Sequence, residues 1–503
     1  MSETRSRLLK GAAWIAFGSI IANSLGFIST IIMARLLMPE DFGLVAICVA
    51  FMMILTSIAE MPLSEALVQH DDPSEAHFDT VWSMSVLRSL ILGGLIAALS
   101  YPVAMFYGDI RLQDILLVMA ASVAFSGFIN PKLAIFQREL VFHQAFLLKV
   151  GEKAAGFIVA LVLAIVFRSY WALVFGAVVS DMARVVISFL LYPYRPRVTF
   201  SRCREILSFS IWITFGTWIQ AINWRANPLV FGAVLPTGLL GQYSFGIRVT
   251  GVVIGQLAQP VQDTFFPAFS RFKNNKDQLR SAYIRAQGVA CSWIFPFAFG
   301  LAVVAHDLVY LVLGAKWEAA IPVIQLQAIS VAMQATAAIQ PIAMATGNTK
   351  ALFYRDIRAF VIRWPLMLAG IYLGSQSAYG MLIGGLIGNA LATFANVVLN
   401  MSLVGKITDV GLKGHLSFVI RPLAGVVVMA LMVFGLGLLV SVQPNWIAET
   451  ARLVGLILLG ALAYIATLWV IWRLRGRKEG AETEIVQLSQ KLLAKRRKAA
   501  PPA

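Results

Sequence analysis

Apolar runs of roughly 20 residues, the length that crosses a hydrocarbon layer of about 30 Å, recur along most of this chain. They begin near Trp14 and end near Trp472, and only short polar segments separate them. A soluble fold of 503 residues has no single core that can bury 59% apolar residues alongside only 13% charged residues. The pattern therefore predicts an all-α polytopic membrane protein whose surface is mostly covered by lipid.

We predict about fourteen transmembrane helices from these runs. The first run follows Arg5, Arg7 and Lys10, but it is too long for the apolar region of a signal peptide and lacks a small-residue cleavage site. We therefore expect it to be retained as a membrane helix. The predicted spans are 11-33, 42-64, 83-107, 113-136, 144-167, 170-192, 207-233, 240-269, 282-303, 320-346, 356-375, 378-404, 416-441 and 447-472.

Basic residues are distributed very unequally between the two sides of these spans. The side of the amino terminus carries about 28 Lys and Arg residues and the other side about four, which is the asymmetry that marks a cytoplasmic face. We expect both termini to be cytoplasmic in a bacterial inner membrane. The asymmetry also accounts for the net charge of +16, so anionic lipids are expected partners and nucleic acid is not. The three distant cysteines predict free thiols rather than a disulfide or zinc site.

Two similar turns and two similar Pro dipeptides suggest an internal repeat. Pro39 and Pro236 follow the first and seventh spans at similar distances, while Asn130-Pro131 and Gln340-Pro341 lie late in the fourth and tenth. The repeat predicts two parallel six-helix halves with a binding site between them, plus two appended helices. The predicted organisation is a cytoplasmic N-terminus (1-10), an N-lobe (11-192), a basic cytoplasmic linker (193-206), a C-lobe (207-404), appended helices 13 and 14 (416-472) and a basic cytoplasmic tail (473-503).

No motif in the sequence indicates a reaction. There is no phosphate-binding loop and no HExxH zinc motif, and the five histidines are far apart, so we predict no catalytic residue, bound metal or cofactor.

Cationic residues inside the predicted spans are the feature of the sequence that most clearly indicates a functional site. Each costs about 2.5 to 3.5 kcal/mol near the centre of a membrane helix, so a compensating ligand or partner is expected. The deepest are Arg225, Arg248, Arg363 and Lys153, which we predict to face a water-filled cavity. Guanidinium groups pair with phosphate through forked donors, so the predicted ligand is an anion. Structural pairing of these cations is the alternative.

Other polar and small residues in the spans have either a structural or a functional interpretation. Asp181 and Arg184 share a helix face and can neutralise one another. Small residues from Gly380 to Ala392 recur every fourth position, which is typical of close helix packing. Candidate cavity-lining residues are Asn223, Asn227, Asn396 and Asn400, and candidate groups for coupling to Na⁺ or H⁺ are Asp181 and Asp263. Arg88, Lys132, Arg421 and Arg452 lie near helix ends, where long side chains reach water.

Five segments of the sequence are informative together: 34-43 (ARLLMPEDFG), 136-140 (FQREL), 240-244 (LGQYS), Gln259-Pro260 and 266-270 (FPAFS). In this order they resemble the polysaccharide-transporter (Wzx/WzxC-like) branch of the multidrug/oligosaccharidyl-lipid/polysaccharide (MOP) flippase superfamily. The resemblance implies two six-helix lobes in a V-shaped arrangement, alternating access, and a polyprenyl-diphosphate-linked oligosaccharide as cargo. It also implies that Arg35 and Pro39 are turn residues. Such proteins often carry an Asp where this chain reads Ala226-Asn227-Pro228, so an ion-coupling role of that Asp does not carry over.

We therefore expect a flippase that exports a lipid-linked oligosaccharide for exopolysaccharide, capsule or O-antigen synthesis, alongside a polysaccharide polymerase and export machinery. A membrane potential, worth about 2.3 kcal/mol per charge per 100 mV, is one expected driving force. A drug or cation antiporter on the same fold is the first alternative, although it would favour an acidic cavity. A membrane-embedded polymerase or glycosyltransferase, or a scaffold without transport, are the others.

Overall fold

The computed structural model describes residues 2–59, 63, 67, 73–138, 142–203, 222–223, 225–262, 264–440 and 445–474. These residues contain α-helices, one 3-10 helix at Ala315–Trp317 and no β-strand. The helices are α1 (Ser2–Leu36), α2 (Pro39–Ile58), α3 (Glu75–Tyr107), α4 (Arg111–Ser126), α5 (Leu133–Arg138), α6 (Phe142–Phe167), α7 (Trp171–Leu191), α8 (Asn227–Val234), α9 (Thr237–Gln262), α10 (Phe265–Phe272), α11 (Lys276–Val312), α12 (Ala320–Ala335), α13 (Gln340–Ala345), α14 (Thr349–Leu373), α15 (Ala378–Thr408), α16 (Leu412–Leu439) and α17 (Trp446–Leu474).

Many of these helices have the length and the apolar surface of membrane-spanning helices. Within the described ranges, nine helical spans are long and apolar enough to cross a membrane, and Ile21–Leu36 adds a shorter apolar stretch. Large apolar side chains are exposed on their surfaces, as at Leu439 and Leu474, which are 81% and 82% exposed. Such surfaces are stable in hydrocarbon rather than in water. The chain is therefore a multi-pass α-helical membrane protein. The predicted helix 207-233 and the predicted tail 473-503 lie largely outside the described residues.

The chain forms two compact units, Met1–Ser244 and Phe245–Ala503, and the boundary falls within α9. In the first unit α6 packs along α1 and α7, and α3 packs along α4. In the second unit α14 pairs with α15, while α11 packs against α12 and the hairpin of α16 and α17.

The predicted helix 113-136 is broken in the structure. α4 ends at Ser126, and α5 begins only at Leu133. Asn130 fills the break, because its backbone N–H donates to Ser188 Oγ at 3.1 Å and its side-chain amide donates to Tyr192 O at 2.7 Å. Pro131, which follows, has no N–H to continue a helix. Polar groups freed by the break are thus satisfied by the end of α7, as the membrane requires.

The predicted helix 320-346 is broken in the same manner. α12 ends at Ala335 and α13 begins at Gln340, just before Pro341. The Gln287 amide, oriented to satisfy both of its groups, donates to Ala335 O at 2.8 Å and accepts from Ala338 N at 2.9 Å. Asn400 donates to Ala337 O at 3.1 Å. The two Pro dipeptides that suggested a repeat therefore both coincide with a helix break.

The predicted helix 240-269 is also shorter than expected. α9 ends at Gln262, and Phe265 begins the separate eight-residue helix α10. Phe265 and Phe269 on one side of α10 are buried, whereas Phe266 and Pro267 are exposed. This alternation fits a short helix lying on the bundle rather than continuing a membrane span.

Candidate functional site

Arg225 lies beside the end of α2 in the first unit. Its Nη1 group donates to Ser57 Oγ at 2.6 Å and to Met53 O at 3.3 Å, both in the last turns of that helix. Carbonyl groups at a helix carboxyl end carry partial negative charge and hold a cation without neutralising it. Arg225 is exposed and forms no ion pair with an acid in the part of the chain described. Its remaining N–H groups are therefore available to a ligand.

Arg248 lies on α9 and is exposed. It makes no hydrogen bond or ion pair with any residue that the structure describes. Gly251 and Gly255 follow at a spacing of three and four residues, so they share its helix face. A Cβ added to either glycine would meet no atom within 4 Å. This face of α9, formed by Arg248, Gly251 and Gly255, thus combines a guanidinium with open space.

Lys153 on α6 is exposed, and no described residue forms a hydrogen bond or ion pair with it. The acids nearby on α6 and α7 have other contacts. Asp181 Oδ2 accepts from Ser122 Oγ at 2.9 Å, and Arg184 Nε lies 3.7 Å from Glu152 Oε2. Arg184 therefore forms its direct ion pair with Glu152 on the neighbouring helix, while Arg184 and Lys153 both also act on Asp181 through their charge, so the expected neutralisation of Asp181 by Arg184 is electrostatic rather than a direct ion pair.

Arg363 occupies a different environment from Arg225 and Arg248. It is buried between α14 and α15, where its Nη2 donates to Asn389 Oδ1 at 3.1 Å. Two turns earlier, Arg355 Nη2 donates to Asn396 Oδ1 at 2.6 Å, and Arg355 also pairs with Asp356. Arg363 and Asn396 therefore both lie between α14 and α15. They take part in two separate contacts that hold these helices to each other.

The remaining predicted site residues are dispersed. Asn223 is buried, and Asn227 is buried at the first position of α8. Asn400 is buried and holds the break between α12 and α13, so it faces protein rather than an open surface. Asp263 lies outside the described residues.

The small residues of α15 serve helix packing. A Cβ at Gly384 would lie 2.0 Å from the carbonyl oxygen of Gly370, and a Cβ at Gly380 would lie 2.5 Å from that of Gly374. α14 and α15 can approach so closely only because these positions lack side chains. The packing interpretation of this stripe is supported.

Sequence reasoning missed two elements of these surroundings. Arg355 lies two helical turns from Arg363 on the same face, but the predicted span began at residue 356, so its depth was underestimated. Gly251 and Gly255 were not among the predicted site residues, although their spacing from Arg248 is visible in the sequence. A search for small residues three, four and seven positions from each intramembrane cation would have found them.

The fold and these side chains define a polytopic helical membrane protein with exposed cations at Arg225, Arg248 and Lys153, of which Lys153 lies on a membrane-length helix. The chain belongs to the polysaccharide biosynthesis protein family, whose sequence profile matches residues 32–322.

Two relatives illustrate the match. The lipopolysaccharide biosynthesis protein WzxC of Escherichia coli (strain K12) is 24% identical over 415 residues, which cover 80% of this chain and 82% of that protein. The succinoglycan biosynthesis transport protein ExoT of Rhizobium meliloti (strain 1021) is 23% identical over 442 residues, covering 84% and 85%.

Solved structures share the fold. The lipid II flippase MurJ in an inward closed conformation matches with a TM-score of 0.70 and 15% identity, over 91% of this chain and 98% of that chain. An inward-facing multidrug resistance MATE family transporter of the MOP superfamily matches with a TM-score of 0.60 and 16% identity, over 77% and 96%. The chain therefore has the MOP fold, and the Wzx-like resemblance seen in the sequence is confirmed.

Proposed function

We propose that this protein is a flippase that moves a polyprenyl-diphosphate-linked oligosaccharide from the cytoplasmic to the outer leaflet of a bacterial inner membrane by alternating access. The proposal rests on one observation, which is the exposure of Arg225 and Arg248 together with their lack of an acidic partner. Both are exposed, and neither has an acidic partner in the described part of the chain. An unneutralised guanidinium group at the membrane depth that the sequence predicts suits a diphosphate, which accepts forked hydrogen bonds and supplies the missing negative charge.

The open face of α9 supports the same cargo. A Cβ added at Gly251 or Gly255 would meet no atom within 4 Å, so this face of α9 is open beside Arg248. We propose that the diphosphate and its first sugar pass along this face. In this proposal the prenyl tail stays in lipid while the polar head passes along the cations.

The names of relatives agree with this cargo. WzxC and ExoT are named for lipopolysaccharide biosynthesis and succinoglycan transport, and the MurJ structure is that of a lipid II flippase. We extend these activities to the present chain, together with about fourteen helices in two six-helix lobes, an appended pair and two cytoplasmic termini.

Lys153 belongs to the proposed path, because it is an exposed cation on α6. Arg363 is assigned a supporting role, since it is buried against Asn389. Coupling is proposed to use the membrane potential together with Na⁺ or H⁺ at Asp181, whose carboxylate contacts Ser122. A polysaccharide polymerase and export machinery are the proposed downstream partners.

The test is deletion of the gene in its own bacterium followed by complementation. We expect deletion to remove surface polysaccharide and to leave the lipid-linked repeat unit on the cytoplasmic side, where an added impermeant glycosidase cannot reach it in intact cells. Complementation restores both properties. Normal surface polysaccharide in the deletion strain, together with increased sensitivity to cationic drugs, would instead establish the antiporter. A polymerase would leave the repeat unit accessible on the outer side but unpolymerised.

A further inference from the structure

The segment 194–202 follows the end of α7 without forming a helix or a strand. Its hydrogen bonds come instead from polar side chains on α3. Asp79 Oδ1 accepts a hydrogen bond from the Tyr194 hydroxyl and, at 3.2 Å, another from the Arg197 backbone N–H. One carboxylate therefore holds two points of the segment against the helix.

Two neighbouring side chains of α3 hold the rest of the segment. Ser83 Oγ accepts a hydrogen bond from Thr199 N at 3.0 Å, and Thr80 Oγ1 accepts one from Arg202 N at 3.4 Å. Asp79, Thr80 and Ser83 are at most 9% exposed, so these contacts are buried. Because the backbone is fixed on α3, the side chains on its exposed side are also held in place.

The exposed side of segment 194–202 combines cations with apolar side chains. Val198 is 77% exposed and Phe200 is 47% exposed. Arg195 and Arg197 are also exposed, and neither guanidinium forms a hydrogen bond or ion pair with any residue that the structure describes. Together these four residues form a surface that we call the linker face. A partner for this surface must offer negative charge and an apolar environment side by side.

The linker face lies close to the membrane boundary. α7 has 21 residues, so it is about 31 Å long and matches the hydrocarbon thickness of about 30 Å. It ends at Leu191, and Arg195 follows four residues later. Tyr192 and Tyr194 lie between them, and tyrosine is enriched where a membrane meets water. The basic asymmetry of the sequence predicts that this side is cytoplasmic.

We propose that the linker face binds anionic lipid headgroups of the leaflet on this side. The arginines pair with headgroup phosphates through forked donors, while Val198 and Phe200 enter the region where headgroups meet acyl chains. A zwitterionic lipid carries its own cation beside the phosphate, so it competes less well for the arginines. A soluble phosphate compound would leave both apolar side chains in water, so a lipid surface fits the four residues better.

This assignment goes beyond the general attraction of a basic face for anionic lipid that the sequence predicts. It places the lipid on one surface whose backbone is fixed by α3, and it does not depend on which cargo the protein moves.

The experiment measures which lipid lies next to the linker face in the full-length protein. A bimane fluorophore is attached at Val198→Cys, with Cys203→Ala to remove the half-buried native thiol, while Cys48 and Cys291 are buried and remain. The protein is placed in nanodiscs of equal parts phosphatidylglycerol and phosphatidylcholine. A quenching nitroxide is carried near the top of the acyl chains of one lipid or of the other.

We expect at least about two-fold stronger quenching when phosphatidylglycerol carries the nitroxide, because basic residues near the surface attract anionic lipid. Equal quenching by the two lipids would overturn the proposal, since the linker face would then meet the membrane without selecting charge. Absence of quenching by either lipid would also overturn it and would favour a soluble partner.

Arginine variants show whether the preference is local. Arg195→Gln combined with Arg197→Gln should bring the two quenching values together, because the backbone contacts with α3 remain while both cations are lost. Arg280→Gln combined with Arg285→Gln removes the same charge from exposed positions of α11 in the second unit and should leave the preference intact. A preference that survives the first double change, or that falls equally in both, overturns the assignment to the linker face.

Two further measurements exclude other sources of the signal. Leu439→Cys in the same background, at a position that is 81% exposed at the end of α16, should be quenched equally by both lipids. An equal preference there would mean that the signal does not arise from the linker face. Inorganic pyrophosphate added at constant ionic strength should leave the preference at Val198→Cys unchanged. Its loss would assign the arginines to a soluble phosphate compound instead of a lipid.

Discussion

Gly43 and Gly241 each lie against the first residue of the helix that carries the other. A Cβ on Gly43 would be 1.9 Å from the carbonyl oxygen of Thr237, the first residue of α9. A Cβ on Gly241 would be 1.7 Å from that of Pro39, the first residue of α2. The contact is reciprocal, because each glycine lets its own helix approach the first residue of the other helix closely.

Alanine at Gly43 or Gly241 should destabilise the first unit. The added methyl group would overlap a backbone oxygen that cannot move independently of its helix, and overpacking of this kind costs about 1 to 3 kcal/mol. We expect a lower Tm for each variant in detergent. The control is Gly94→Ala on α3, where a Cβ meets nothing within 4 Å. Wild-type melting of both Gly43→Ala and Gly241→Ala would show that the two helix starts can separate without cost.

Asp41 connects α2 to the start of α7. Its Oδ2 accepts from Met38 N at 2.9 Å, and its Oδ1 accepts from Tyr170 N at 3.0 Å. Asp41→Ala removes both acceptors, and we expect a loss of about 1 to 3 kcal/mol. Asp41→Asn retains one good acceptor and should fall between alanine and wild type when Tm is measured. Equal Tm values for the Asn and Ala variants would contradict this order.

The sequence predicted local features of this region but not their contacts. The Pro39 and Pro236 turns could be identified because Pro favours the starts of helices and because the two prolines follow the first and seventh predicted spans at similar distances. That the two turns touch depends on residues almost 200 positions apart, which no periodicity encodes. The same limit applies to the helix breaks, since apolar runs over 113-136 and 320-346 continue across Asn130 and Gln340. Only the structure shows that Ser188, Gln287 and Asn400 satisfy the exposed backbone there.

Cations near helix ends show this limit clearly. Lys132 was expected to reach water, yet it pairs with Glu75 at 2.7 Å and lies 5.1 Å from the Tyr194 ring centroid. Arg452 was expected to do the same, but its side chain is only 5% exposed. Hydropathy places such residues at a depth in the membrane, whereas their partners come from distant helices.

Arg452 should be essential for attaching the C-terminal helix pair. Its Nη2 lies 2.7 Å from Asp307 Oδ2 on α11 and 2.5 Å from Glu449 Oε1 on its own helix. Arg452→Met leaves two carboxylates close together without a cation, and we expect a loss of about 1.5 to 3 kcal/mol. Tm in detergent is the measurement. The triple change Arg452→Met, Asp307→Asn and Glu449→Gln should recover part of this loss; no recovery would show that charge is not the cause.

Removing either exposed guanidinium should stop transport without unfolding the protein. Arg225→Ala and Arg248→Ala each delete a charged hydrogen-bond donor worth about 1.5 to 3 kcal/mol, so surface polysaccharide should fall about 10-fold or more. Complementation of the deletion strain measures this, with protein level followed in the same cells. Lys406→Ala, an exposed cation at the end of α15, is the matched control. Full polysaccharide from both Arg variants would remove these residues from the path.

Larger side chains on the open face of α9 test whether this face is part of the cargo path or only a packing surface. A Cβ added at Gly251 or Gly255 would meet no protein atom within 4 Å, so we expect the leucine variants to fold and reach wild-type levels. Beside Arg248 the same side chain would occupy the space proposed for the diphosphate and its first sugar, so surface polysaccharide should be strongly reduced. Gly94→Leu adds the same bulk at an equally open position of α3 and should transport normally. If all three variants transport normally, the cargo does not use this face of α9. If Gly94→Leu is also inactive, the loss reflects bulk in a membrane helix rather than a blocked path.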